Sequence, residues 1–225
     1  MAKKLMTAIA GLAAALVLTS VARADTISIG LKETGAHPVG LTTVATGSGI
    51  ASYAGPFGTF TITSDTGIGT SFLPEPDVDS SSIDVSPLAA GVLWVYVTET
   101  GISSPSGPTT LESDFNALIA TSGSGISSVE EYTYYSNADA LYGGTLLASY
   151  TFTGSGAHIT HNTVSVTPLF SETAVFEITA TGRGSGASGA INLSGVPEPA
   201  TLSLLGFGLS GLGLLGLRKK ERLNG

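Results

Sequence analysis

The sequence predicts a mainly β protein: a β-sandwich or jelly-roll-like body, with an N-terminal signal-peptide helix before it and a single C-terminal transmembrane helix after it. Three observations lead there. Short runs of alternating apolar and polar residues recur through the middle of the chain, split by Gly- and Ser-rich turns, with no long amphipathic stretch. Strands at such short spacing are the mark of sandwiches. Residues 1–24 hold an apolar run behind Lys3 and Lys4, and residues 195–225 hold a second one ahead of a basic cluster.

Residues 1–24 are built as an export signal. A basic n-region, an apolar h-region densest from Ala8 to Leu18, and Ala22-Arg23-Ala24 as a small-x-small cleavage site follow in order. A transmembrane anchor needs roughly 20 apolar residues and has no reason to end in that triplet. Signal peptidase is thus expected to cut after Ala24 and leave Asp25 first. Cysteine is absent, so a fold exported to a disulfide-permitting compartment is held by its core alone.

The body, residues 25–194, is strongly acidic. Of nine basic residues in the chain, only Lys32 and Arg183 lie between Asp25 and Val196; 15 of the 17 acidic ones do, for a net charge of −13. Such a surface repels phosphate and excludes nucleic acid as a partner. Ile27, Ile29 and Leu31 alternate with Thr26, Ser28 and Gly30, as in a half-buried strand. Strands are also predicted over Thr59–Thr63, Val92–Thr98, Leu146–Thr153, Thr163–Phe170 and Ala174–Thr181, with turns at Gly101–Pro108, Gly154–Gly156 and Gly182–Gly189. The run from Val92 to Val97 is apolar on both faces, which places it in the centre of the core. From Thr109 onward a capping box with Glu112 competes with alternation of Leu111, Ser113, Phe115, Ala117 and Ile119; the β context favours a strand.

Chemistry is sparse in the body. Gly184-x-Gly186-x-x-Gly189 matches a dinucleotide fingerprint, but two further matches fall inside the C-terminal apolar span and none opens a helix after a strand. With three histidines in all, His158 and His161 read as a solvated loop pair lacking a third zinc ligand nearby. No catalytic residue is nominated, although Glu130-Glu131 and the acids around Asp77 are the material a carbohydrate-active enzyme would use. Asp77, Asp79 and Asp84, within a Ser-rich stretch, offer hard oxygens suited to calcium on a loop; no other cofactor is expected. The row Thr59-x-Thr61-x-Thr63 is read as solvent-facing strand threonine rather than an ice-matching surface.

Residues 195–225 carry a second address. Pro197, Glu198 and Pro199 precede 18 consecutive uncharged residues, Ala200–Leu217, long enough as a helix at about 1.5 Å per residue to cross a hydrocarbon core. Arg218, Lys219, Lys220 and Arg222 then hold the tail on the cytoplasmic side. These three ordered parts closely resemble the PEP-CTERM sorting signal of exported bacterial proteins, also called an ice-binding-protein C-terminal domain. The resemblance covers about the last 30 residues. It implies a transient inner-membrane anchor, removal by an exosortase near Pro197-Glu198-Pro199, and a destination at the cell surface or in an exopolysaccharide-rich matrix. The body from Leu88 to Leu193 is similar to bodies on other such tails, with a Gly101-Ile-Ser-Ser104 turn and an Asn137-Ala-Asp-Ala-Leu-Tyr142 segment. The expectation is a non-catalytic structural or adhesive protein, with exopolysaccharide as its partner; the alternative is a carbohydrate-binding module or carbohydrate-active enzyme.

Overall fold

The computed structural model describes residues 25–35, 37–69, 77–120 and 123–196. Residues 1–24, expected to be a signal peptide, and Pro197-Glu198-Pro199, the apolar span 200–217 and the basic cluster lie outside the described residues. Among the described residues no helix is long and apolar enough to cross a membrane.

Twelve strands follow in order: β1 (Thr26–Thr34), β2 (Val39–Ser48), β3 (Ile50–Phe57), β4 (Phe60–Ile68), β5 (Asp77–Pro87), β6 (Gly91–Ile102), β7 (Gly107–Ile119), β8 (Ile126–Ser136), β9 (Thr145–Phe152), β10 (Gly156–Val166), β11 (Phe170–Ala180) and β12 (Ala187–Val196). They form two six-stranded antiparallel sheets. Sheet A runs β2-β1-β6-β11-β8-β9 and sheet B runs β10-β7-β12-β5-β4-β3. From β5 onward every connection except β8–β9 passes from one sheet to the other. The resulting orders, β6-β11-β8-β9 facing β5-β12-β7-β10, are those of an eight-strand jelly roll. The first four strands extend it at one side. Gly49 alone joins β2 to β3, and its φ of +71° explains why glycine stands where the chain swings between sheets.

Period-2 alternation decides which face of each strand is inward. Ile27, Ile29 and Leu31 of β1, Leu93, Val95 and Val97 of β6, and Phe176 and Ile178 of β11 face Phe60, Ile62, Val85, Phe115 and Ile191 of sheet B in one core. Each such side chain contributes about 1.5–3 kcal/mol by leaving water.

The segment from Thr109 to Ile119 is a strand, β7: its alternate residues Leu111, Ser113, Phe115, Ala117 and Ile119 are all buried between β10 and β12. Several boundaries differ from expectation. Thr163–Phe170 is the end of β10, a turn at 167–169 and the start of β11. The Gly182–Gly189 turn ends sooner, since β12 begins at Ala187 and runs to Val196. Its Ala, Ser and Gly residues lack the bulk that signals a strand, but backbone pairing to β5 and β7 needs none. Asp77–Asp84 is no loop: its backbone is β5, paired to β4 and β12. His158 and His161 likewise sit on β10, paired along β7.

One buried carboxylate pins a turn. Glu33, at the end of β1, accepts hydrogen bonds from Thr59 N at 2.8 Å and Thr59 Oγ1 at 2.5 Å in the β3–β4 hairpin. Thr59 therefore leaves the expected threonine row. Beside it Gly58 has a φ of +56°, and a Cβ there would overlap Glu33 Oε2.

Candidate functional site, an aromatic outer face

The outward side of sheet A is set by register. Lys32 of β1 lies opposite Trp94 of β6, Trp94 opposite Glu177 of β11, and Glu177 opposite Glu130 of β8. One row along, Gly30, Tyr96, Val175 and Tyr132 follow the same path, and then Ser28, Thr98, Thr173 and Tyr134. Alternation thus turns the non-core half of β6 outward. Trp94 and Tyr96 are half-buried on this face rather than inside the core, which corrects the placement of the Val92–Val97 run; β6 is nonetheless interior to its sheet. A run apolar on both faces needs cover on both, and aromatic side chains supply the outer one.

The rings form a layer. Trp94 and Tyr132 have centroids 6.0 Å apart at 18°, Trp94 and Tyr96 6.4 Å at 18°, and Tyr132 and Tyr134 6.2 Å at 27°. Val175, on the strand between β6 and β8, points outward yet is only 1% exposed beneath them. Thr98 and Thr173, both 0% exposed, share a 2.9 Å hydrogen bond under the same cover.

Tyr142 closes one side of the layer. The turn after β8 is fixed by Asn137, whose amide donates to Ser165 O and accepts from Thr167 N, and by Asp139, which accepts from Gly101 N at 2.8 Å. Tyr142, at a φ of +61°, then lays its ring on β1. A Cβ on Gly30 would sit 2.6 Å from that ring, so glycine is what admits it. Tyr142 N donates to Thr98 Oγ1 and its hydroxyl to Thr43 Oγ1 at 2.8 Å, and the ring meets Tyr96 at 5.7 Å. The Asn137–Tyr142 segment singled out in sequence is therefore part of this face.

The polar groups on the face are few. Tyr132 donates its hydroxyl to Glu177 Oε2 at 2.7 Å, and Lys32 Nζ stands 5.8 Å from the Trp94 ring centroid. Burial, then the hydrogen bond to Glu177 and the negative charge of Glu130, push the Tyr132 phenol well up. Burial, then neighbouring phenol and carboxylate charge, raises Tyr96 and Tyr134 too. These hydroxyls stay protonated and able to donate. Apolar ring surface beside acceptors and donors is what a sugar ring presents in complement, with its C–H faces and hydroxyl rim.

The other nominated residues are scattered. Glu130 and Glu131 are neighbours on one strand and so face opposite sides; Glu131 is 0% exposed in the core and is not a surface carboxylate. The pair cannot flank one substrate, which removes it as an acid–base couple. Burial pushes the Glu131 carboxyl up to about 9, with the backbone N–H of Asn116 near enough to oppose this in part but not to make a well-formed hydrogen bond. On sheet B, Asp84 lines an open pocket of about 390 Å³ with Leu118, Ser155 and Ser188. The side chains of Asp77 and Asp79 lie outside the described residues. Among the described residues no three His, Cys, Asp or Glu stand together as metal ligands. His161 pairs with Glu112 at 2.7 Å, and His158 stacks on Tyr150 at 4.1 Å, two different settings for the two histidines.

Residues 195–220 match the PEP-CTERM protein-sorting motif. The chain carries a PEP-CTERM sorting signal. That signal marks exported proteins bound for the cell surface or beyond, and the last two residues of β12, Gly195 and Val196, are its first two. No curated protein sequence matches the chain. Solved structures that overlap it include the enzymatically active domain of bacteriophage CBA120 tailspike protein 4, at 13% identity and a TM-score of 0.35 over 75% of this chain and 19% of that one. TmCBM61 in complex with β-1,4-galactotriose overlaps at 12% identity and a TM-score of 0.32, over 67% and 90%. The Epithelial Adhesin 6 A domain of Candida glabrata does so at 11% and 0.34, over 80% and 84%. The chain thus spans about a fifth of the tailspike domain. At scores this low the likenesses carry no argument, and the functional reading rests on the residues themselves.

Proposed function

We propose that this chain is an exported, non-catalytic glycan-contacting protein that holds to exopolysaccharide through the outer face of sheet A. The observation that carries the reading is the layer of Trp94, Tyr96, Tyr132 and Tyr134, half-buried on a sheet face that could have been polar throughout, with Glu130 and Glu177 at its edge. Rigid aromatic surface gives large contact area at low entropic cost, and hydroxyl-accepting carboxylates fix orientation. The same reading has signal peptidase cutting after Ala24, an exosortase acting at Pro197-Glu198-Pro199 on a transiently anchored form, and matrix placement as the outcome.

Trp94 is the sole tryptophan of the chain. Its fluorescence therefore reports on this face directly. Titrating the envelope-purified protein with a panel of oligosaccharides should shift that emission saturably for at least one of them. Tyr132→Ala should weaken the same binding about thirtyfold while near-ultraviolet circular dichroism stays native in form. A panel that leaves Trp94 emission unmoved throughout, or a Tyr132→Ala variant that binds as before, overturns the reading.

A further inference from the structure

We propose that the sugars this face selects carry free amino groups, so that the ligand is a cationic amino-sugar polymer rather than a neutral or uronate-bearing one. The inference rests on the glycan reading above and deepens it.

The first ground is the placement of Glu130 and Glu177 directly opposite one another on adjacent strands of the outer face. Like charges in that position destabilise a sheet. Among the described residues no ion pair joins either carboxylate to a cation, and the His161–Glu112 pair lies on the other sheet. Lys32 reaches the Trp94 ring instead. An ammonium brought by a ligand would sit between the two carboxylates and remove the repulsion.

The second ground is the aromatic setting of that pair. Trp94 lies beside Glu177 in register, and Tyr132 both touches Glu177 and packs on Trp94. Rings with carboxylates at their rim attract ammonium groups through the ring quadrupole and through charge-assisted hydrogen bonds. Lys32 Nζ, 5.8 Å from the Trp94 centroid, shows the same ring already accepting an ammonium from the protein itself. The third ground is the body's net charge of −13, which draws a polycation toward the protein and repels uronates.

The test uses β-1,4-linked glucosamine tetramer, its fully N-acetylated counterpart and a neutral glucan tetramer, each titrated against Trp94 emission of the envelope-purified protein at mildly acidic pH. The glucosamine tetramer should bind about tenfold more tightly than its acetylated form. Glu130→Gln with Glu177→Gln keeps shape and removes charge, and should erase that preference, so that the glucosamine and acetylated tetramers bind with equal affinity. If wild type favours the acetylated or the neutral tetramer, the amino-sugar inference fails and the glycan reading stands. Binding of the glucosamine tetramer that survives both Gln substitutions and Tyr132→Ala is diffuse attraction to an acidic body, and it overturns the inference. A tetramer panel that never moves Trp94 emission, in wild type or variants, removes the glycan reading beneath it as well.

Discussion

The two sheets of the sandwich have the same number of strands, the same antiparallel pairing and contrasting outer faces. On sheet A, residues that point away from the core are nonetheless covered: Ser28, Thr98, Thr173 and Val175 are all 5% exposed or less. On sheet B, the outward residues of β7 are Thr110, Glu112, Asp114, Asn116 and Leu118, and Leu118 is 61% exposed. Burial raises the Asp114 carboxyl, with the Glu112 charge adding to it. A sandwich needs one buried side per sheet. The covered outer side of sheet A goes beyond what a sandwich requires, and it is the ground on which this face is proposed as the binding one.

The contrast is sharpest within β8, where Glu130 belongs to the outer layer and Glu131 to the core, and the largest expected effect comes from that position. A carboxyl whose value rises from 4.5 to about 9 on folding keeps its proton in the native state while the unfolded chain releases it. The unfolded state then binds fewer protons, so this group's contribution to stability is full below about pH 4.5 and is lost progressively as pH rises to about 9. Asp65, raised by burial to about 7, adds a similar fall over its own lower window from 3.8. Urea unfolding across this range should show Glu131→Gln with a much shallower slope than wild type. Curves that run parallel would show Glu131 to be ionised in the fold.

A middle-sized effect separates the two outer faces. Trp94→Ala uncovers Val175 and should cost about 1–3 kcal/mol, less than a fully buried aromatic because the indole is half exposed. Leu118→Ala on sheet B should stay within about 0.5 kcal/mol. Equal losses in denaturant midpoint would erase the distinction between the faces.

The smallest effect is on sheet B alone. His161 and Glu112 are 53% and 33% exposed, so breaking their contact with Glu112→Gln should cost no more than about 1 kcal/mol, and less in added salt. The same change should bring the Asp114 carboxyl down by removing the neighbouring charge, measurable by NMR titration. An Asp114 titration unmoved by Glu112→Gln would leave burial as its sole cause.

Strands β1, β6 and β11 were legible because their inward positions carry large or β-branched side chains at period two. β8 escaped notice because its inward row mixes Val129 with Glu131 and Thr133, and β12 because Gly, Ser and Ala occupy most of it. The aromatic face was half visible. Trp94 and Tyr96 stood out in sequence, but as core residues, since apolar composition says that a side chain is covered and not by what.

The chain by itself determined the class and the address. Alternation is a local property, fixed by successive side chains pointing to opposite sides of a strand, and it led to a sandwich. The sorting signal is also local, Pro197-Glu198-Pro199 followed by an apolar span and a basic cluster, and needs no partner from the body. The site depended on tertiary structure. Residues 32, 94, 130 and 177 stand in one row only because β11 pairs between β6 and β8, and Tyr142 joins them only because Gly30 leaves room for its ring. Strand order is a sum of many weak cross-strand contacts and loop-closure costs over the whole chain, so no window of sequence holds it.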